Sequence, residues 1–315
     1  MSVAPRAAED LAISQARAVS RRGRGPKWFA EMGWRHVVAI CAGLFALFPI
    51  AYVVSAAFNS DQSLGGSSLI PRQVTFENFR AILRTSQPAG SEFLPAHYGR
   101  WFLNSILIAG GTAVATVILG ALAAYAFSRF RFKGRRFGML ALLLIQMFPQ
   151  LLAVVAIYLI VLRVGDIFPV IGLNKPTALI VIYLGGAMGV NTWLMKGFFD
   201  TIPSELDESA RVDGATPAQI FWGIILPLAT PVLAVIALLS FIATLNEFVI
   251  ASVILQTTDR QTLPLGLFQY IDQQFGKHWG PFAAGVMIAA IPAILLFTFL
   301  QRYIVQGLTA GAVKG

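Results

Sequence analysis

Six apolar stretches dominate this sequence, and each is long enough to cross a lipid bilayer as a helix. They lie near residues 37–58, 102–127, 138–162, 178–199, 224–245 and 282–303. A spanning helix needs about 20 apolar residues, because the hydrocarbon core is about 30 Å thick. The composition agrees, since 57% of the residues are hydrophobic and only 12% are charged, which is more apolar than a soluble domain of this length requires. The sequence therefore predicts an all-α protein, a polytopic membrane helix bundle with six transmembrane helices.

The positive charges give this bundle an orientation. Sixteen of the 24 Lys and Arg residues fall on the side of the two termini, and eight fall on the other side. The densest cluster is RFRFKGRR at residues 129–136; we interpret it as a topology signal, and contact with anionic lipid is the alternative. We expect a multi-pass protein of the cell (inner or plasma) membrane with cytoplasmic N- and C-termini. The net charge of +9 then needs no nucleic-acid partner to explain it.

This topology divides the chain into three regions. Residues 1–36 are polar and basic, and we expect a cytoplasmic segment that is partly disordered. Residues 37–304 form the six-helix transmembrane domain, which contains a long cytoplasmic loop at 200–223. Residues 305–315 form a cytoplasmic tail.

The loop at 200–223 carries the signals of two short helices joined by a tight turn. Ser204 precedes a cluster of acids, and acids stabilise the first turn of a helix. Gly214 can adopt the left-handed conformation that ends such a helix. Thr216, Pro217 and Gln219 then have the order of an N-cap, a first-turn proline and a capping-box partner.

The same loop resembles the EAA loop of ABC-importer permeases. Its residues Glu208-Ser209-Ala210 are followed by Gly214 and later by Ile-x-Leu-Pro, and Ser209 in place of a second alanine is the one departure. The segments NTWLMKGFFDTIPSELDESARVDG, SFIATLNEF and QRYIVQGLTAGAVKG extend this likeness to the sugar branch, and the last is similar to the end of MalG-type subunits of maltose and maltodextrin importers. The resemblance covers roughly residues 34–315.

The resemblance implies a type I ABC-importer permease fold and an alternating-access mechanism for oligosaccharide uptake, with maltose or maltodextrin as the leading substrate. The implied partners are a second, larger permease in a heterodimer, two copies of an ABC ATPase and an extracytoplasmic sugar-binding protein. This chain would bind no cofactor or metal, because ATP and Mg would be used by the ATPase. The residues implied to couple to that ATPase are Glu205, Glu208, Ser209, Ala210, Asp213, Gly214, Ile224, Leu226 and Pro227.

Three further sets of residues are candidates for function. The small and glycine-rich tail is expected to contact the ATPase, through Gly307, Gly311, Lys314 and Gly315. The polar segment after the fifth stretch is expected to face the binding protein, through Thr257, Thr258, Asp259 and Arg260. Asn246 and Glu247 interrupt an apolar run, where they are either path or gate residues or a locally paired carboxylate and its neighbour.

Other functions remain as alternatives. An importer for another sugar such as trehalose has the same sequence features, and an ion-coupled secondary transporter would need ionisable groups at the membrane midplane. A membrane scaffold would have no use for the spacing of the loop. The sequence has no G-x-x-x-x-G-K-[ST], H-E-x-x-H or G-x-S-x-G motif, so we expect a transport subunit that is not itself an enzyme.

Overall fold

The computed structural model describes residues 32–60, 71, 73–84, 97–272 and 278–312, with side chains up to residue 304. Regular structure in these residues is helical, apart from one isolated bridge between Asn59 and Val74. The helices are α1 (Trp34–Phe58), α2 (Glu77–Leu83), α3 (Tyr98–Arg129), α4 (Arg135–Gln146), α5 (Gln150–Ile167), α6 (Pro176–Phe199), α7 (Glu205–Val212), α8 (Pro217–Leu228), α9 (Thr230–Leu245), α10 (Val249–Ile254), α11 (Leu263–Phe268) and α12 (Trp279–Ala312).

Two short 3-10 turns, Pro169–Ile171 and Thr258–Arg260, and a π-helical segment within α8, Phe221–Ile225, complete the described elements. The chain divides into two compact units, Met1–Val53 and Val54–Gly315. Most of α1 belongs to the first unit. All packing described below lies in the second.

Five of the described helices are long and apolar enough to cross a membrane, namely α1, α3, α5, α6 and α12. The bent pair α8 and α9 gives a sixth crossing if it counts as one span. The all-α membrane bundle is therefore confirmed. The first, second, fourth and sixth predicted spans each overlap one of these helices.

The third span was predicted over residues 138–162, and the structure divides this stretch into two helices. Helix α4 ends at Gln146, and α5 begins at Gln150 after Pro149, which is extended at φ −62° and ψ 110°. Proline has no N–H to donate and disfavours helical geometry in the residue before it, so the helix stops. Only the 18-residue α5 passes as a span, and α4 lies against α6 instead.

The fifth span was predicted over residues 224–245, and the structure places a sharp bend inside it that the sequence did not predict. The axes of α8 and α9 differ by 77° across a break at Ala229. Pro231 cannot donate a hydrogen bond to the carbonyl of Pro227 four residues earlier, and the hydroxyl of Thr230 donates to that carbonyl instead, at 2.7 Å. The straight helix α9 has 16 residues and is about 24 Å long.

Helix α3 is the centre of the second unit, and it packs along both α6 and α9. Near its C-terminal end, small residues such as Ala121 and Ala124 admit the large side chains of Met195 and Phe199. This buried cluster continues into α8 through Ile220 and its neighbours. Near the other end of α3, a second cluster joins α6 to α10 and is formed by Ile108, Val161, Leu179, Tyr183, Ile250 and Ile254. The candidate sites lie next to these two clusters.

Candidate functional site

The predicted turn between α7 and α8 is confirmed in detail. Gly214 has a φ of +85°, the left-handed geometry that favours glycine. Its N–H donates to the carbonyl of Arg211 at 3.0 Å, and the N–H of Ala215 donates to the carbonyl of Ala210 at 2.9 Å. This pair of bonds is the Schellman motif, which pairs carbonyl groups that a helix end leaves without partners. The turn is therefore fixed by backbone bonds.

The start of α8 also matches its prediction. The hydroxyl of Thr216 accepts from the N–H of Gln219 at 3.3 Å, and the side chain of Gln219 accepts from the N–H of Thr216 at 2.8 Å, a complete capping box. The start of α7 is different. Ser204 precedes the helix as expected, but its side chain makes no capping hydrogen bond to any described residue.

The loop side chains predicted to couple are divided between exposed and packed positions. Glu205, Glu208, Ser209, Asp213, Gly214 and Pro227 are exposed. Ala210, Ile224 and Leu226 are half-buried, and Ala210 and Leu226 pack against the cluster beneath α8. Sequence reasoning missed Val212, which is 88% exposed beside the turn.

A buried ion pair holds α7 to the end of α3, and the sequence did not predict it. The Nε atom of Arg129 lies 2.6 Å from Oδ2 of Asp207, and their side chains are only 9% and 4% exposed. Arg129 also donates from Nη2 to the carbonyl of Ile202 at 2.9 Å, just before α7. Asp207 was expected only to favour the helix dipole, and Arg129 only to set topology. Together they fix the position of α7.

A second polar link lies beside this pair. The carboxylate of Asp200 accepts from the hydroxyl of Ser128 at 2.7 Å and pairs with Lys196 one helical turn earlier. Burial alone would raise the pKa of Asp200, but the bonds from Lys196 and Ser128 outweigh it and keep this pKa below its usual value. The end of α6 is therefore tied to the end of α3 by a carboxylate that stays ionised.

The loop at residues 256–261 is fastened through its backbone. The indole N–H of Trp101 donates to the carbonyl of Thr258 at 2.6 Å, and the amide of Asn104 donates to the carbonyls of Asp259 and Gln261. The side-chain oxygen of Asn174 accepts from the N–H groups of residues 256 and 257 at 2.7 and 2.9 Å. Asn174 has a φ of +58°, a conformation that asparagine tolerates better than most residues.

The predicted binding-protein residues lie on this fixed loop, and the hydroxyl of Thr257 also donates to the side-chain oxygen of Asn174 at 3.3 Å. Thr257, Thr258 and Arg260 are exposed, and Asp259 is half-buried. The carboxylate of Asp259 lies 3.6 Å from Arg260 and 3.9 Å from Arg100. A rigid backbone that presents exposed side chains is suited to docking, because little conformational entropy is lost on binding.

The structure separates Asn246 and Glu247, which the sequence placed together. Asn246 donates to the carbonyl of Ile242 at 2.9 Å and borders an apolar cavity of about 470 Å³ between α9, α11 and α12. Glu247 accepts from the N–H groups of Ile250 and Ala251 at 2.8 and 3.0 Å and from the hydroxyl of Tyr183. It borders a different, polar cavity of about 320 Å³ between α6 and α9.

The tail is described only in part. Helix α12 continues to Ala312, so Gly307 and Gly311 lie within this helix. Lys314 and Gly315 lie outside the described residues, as do residues 1–31 of the predicted N-terminal segment.

The bundle resembles a solved permease. It matches a chain of a bacterial ABC transporter involved in the import of the acidic polysaccharide alginate with a TM-score of 0.70, over 89% of this chain and 98% of that one. The sequences are 22% identical, so this likeness shows the fold. The fold is that of an ABC-importer permease, as the sequence predicted.

The family follows from sequence. Residues 116–310 match the family described as the binding-protein-dependent transport system inner membrane component, and the chain belongs to that family. It is 42% identical over 272 residues to the maltose/maltodextrin transport system permease protein MalG of Salmonella typhimurium, covering 85% of this chain and 91% of that protein. It is 40% identical over 269 residues to the galactooligosaccharides transport system permease protein GanQ of Bacillus subtilis, covering 85% and 90%.

Family membership decides between the broad classes that the sequence left open. The chain is a multi-pass inner-membrane subunit of a binding-protein-dependent transport system. Such a subunit works with an ATPase and a binding protein rather than as an ion-coupled transporter or a scaffold.

Proposed function

We propose that this chain is the membrane-spanning permease subunit of an ATP-driven importer for an oligosaccharide, with maltose or maltodextrin as the leading substrate. Relatives named for maltose/maltodextrin and for galactooligosaccharides stand at similar identity, so the sugar class has more support than the individual sugar. The chain itself binds no cofactor. ATP and Mg are used by the partner ATPase.

The coupling role is supported by the way in which α7 is attached to the rest of the bundle. Glu205, Glu208 and Val212 are exposed on this helix, while Asp207 is anchored by Arg129 below them. The exposed part can enter a cleft of an ATPase, and the anchored part prevents the helix from yielding when the cleft moves. A loosely attached loop would absorb that motion instead of transmitting it.

The packing supports a route from α7 into the membrane. Motion of α7 reaches α3 through the Arg129–Asp207 pair, and it reaches α9 through α8 and the 77° bend. Because α3 packs along α6 and α9, the three helices move as a group. Alternating access is then a shift between two states that ATP and the loaded binding protein both bias.

The proposed assembly contains two ATPase copies, a larger sister permease and an extracytoplasmic binding protein. The termini and α7 face the cytoplasm, and the loop at 256–261 faces the binding protein outside. Single cysteines on a Cys41→Ala background test this orientation in intact cells. An impermeant thiol reagent should label Thr258→Cys and leave Ser209→Cys unlabelled, and the reverse pattern would overturn it.

Transport is tested in cells that lack only this chain and that keep the rest of the importer. Restoring the chain should restore uptake of [14C]maltose, and an inactive partner ATPase should abolish it. Labelled trehalose and galactooligosaccharide identify the sugar if maltose is not taken up. Uptake that persists without a working ATPase would refute the proposal.

A further inference from the structure

The polar cavity beside Glu247 is formed by one face of α6 and one face of α9. On α6 the lining positions are 183, 186, 187, 190 and 191, on α9 they are 239, 240, 243 and 244, and Glu247 follows two residues after the end of α9. Steps of three and four residues place such positions in one stripe along a helix. The cavity therefore runs along the two helices instead of crossing between loops.

The break in the third span adds two amides to this cavity. Gln146 ends α4 and Gln150 begins α5, on either side of Pro149, and both line the cavity. The side-chain amide of Gln146 donates to the carbonyl of Gly186 on α6. A Cβ atom at Gly186 would lie 3.2 Å from the amide nitrogen of Gln150, so glycine allows this close approach. Irregular backbone at membrane depth is tolerated where it lines a cavity.

The polar side chains of the cavity belong to helices that are otherwise apolar. Helices α6 and α9 contain no acidic residue, and Glu247 lies just beyond the end of α9. Asn191, Ser240 and Thr244 nevertheless face one space. Polar groups at such positions are costly against lipid and usually line a substrate pathway.

The lining groups of the cavity favour a neutral ligand over an ion. The carboxylate of Glu247 already accepts three hydrogen bonds, from two backbone N–H groups and from Tyr183. It caps α10 and ties α9 to α6, so its charge is satisfied within the fold. The other polar lining groups are amides and hydroxyls, which both donate and accept. This mixture suits the hydroxyl groups of a carbohydrate better than a cation.

We propose that this cavity is a sugar-binding site of the chain itself, in which Gln150, Asn191 and Thr244 bind hydroxyl groups of the passing oligosaccharide. The proposal rests on the proposed sugar-import function. The amide of Asn191 now donates to the hydroxyl of Ser240 across 3.3 Å, a long bond that a sugar hydroxyl can replace. Leu239 and Val190 offer apolar surface to the C–H faces of the ring. The volume of about 320 Å³ is at the lower end for ligand pockets, so it holds part of the chain of sugars.

The test uses the complete importer in proteoliposomes with saturating binding protein and [14C]maltose. Thr244→Val keeps the side-chain shape and removes one hydroxyl, and Gln150→Leu removes one amide. Each should raise the KM for uptake about two- to tenfold, which is the effect of one lost hydrogen bond. In the double variant the two increases in KM should multiply. Asn191→Ala removes the other proposed sugar-binding amide and is used if either variant fails to co-purify with its partners, with the same expected rise in KM.

The matched control is Thr192→Val, one position from Asn191 on the same helix. Thr192 is fully buried, and its hydroxyl has no hydrogen-bond partner among the described residues. Its KM should not change. An unchanged KM in Thr244→Val and Gln150→Leu, or an equal rise of KM in Thr192→Val, would overturn the proposed sugar site. The proposed function would still stand in that case, provided that the native importer takes up the sugar. Native importer that takes up none of maltose, trehalose or galactooligosaccharide would overturn both.

Discussion

Removal of the Asp207 carboxylate should loosen α7 from α3. In Asp207→Asn the guanidinium of Arg129 remains buried at 9% side-chain exposure but loses the charge that lies 2.6 Å away. The bond from Arg129 to the carbonyl of Ile202 at 2.9 Å persists, but a carbonyl dipole does not balance a full charge. Breaking one side of a buried ion pair costs about 3–5 kcal/mol.

This magnitude can be measured as local opening. Each 1.4 kcal/mol is about a tenfold change in an equilibrium constant, so the amides of α7 should exchange about 10² to 4 × 10³-fold faster in the variant. Hydrogen exchange with mass spectrometry on the purified importer resolves this segment. Helix α10, at the other end of α3, should keep its exchange rate and serves as the internal control.

Two further variants make the interpretation specific. Glu208→Gln removes an exposed charge from the same helix, so protection should change by no more than about 0.5 kcal/mol. The double variant Arg129→Met with Asp207→Leu replaces the pair by apolar side chains, which is often neutral or stabilising, and should recover the protection. Unchanged exchange of α7 in Asp207→Asn would show that the ion pair does not hold this helix.

Three other results are expected. Gly214→Ala places a side chain at φ +85° with no atom within 4 Å of its Cβ, so a purely backbone cost of about 1–2 kcal/mol should appear as a lower melting temperature. Asn174→Ala removes the acceptor for the N–H groups of residues 256 and 257 and should lower stimulation of the ATPase by the loaded binding protein. Unchanged stimulation would show that the loop takes no part in binding-protein contact. Truncation after residue 307 should reduce coupled transport without loss of expression, and full transport would show that the tail is dispensable.

The sequence predicted what depends on local chemistry. Hydrophobic length located the helices α1, α3, α6 and α12, because a bilayer selects for length and apolarity. The turn at Gly214 and the capping box at Thr216 followed from residue types whose preferred geometry is intrinsic. These features need no information about distant parts of the chain.

The sequence did not predict contacts between residues far apart along the chain. Arg129 and Asp207 are 78 positions apart, and each has an ordinary explanation by itself, as a topology signal or as a first-turn acid. Asn174 and Trp101 hold the loop at 256–261 from positions that carry no motif. Asn246 and Glu247 are adjacent, and only the end of α9 directs them to different cavities. Pairing of this kind is a property of the packed helices.

The third and fifth predicted spans are both interrupted at proline, and both breaks lie at a candidate site. The break at Pro149 brings Gln146 and Gln150 to the polar cavity. The break before Pro231 turns α8 by 77° from α9. Under the proposed coupling, we expect a displacement of α8 to be passed through this bend to α9, which carries Thr244 and ends two residues before Glu247. The bend thus provides a physical link between the exposed helix α7 and the cavity.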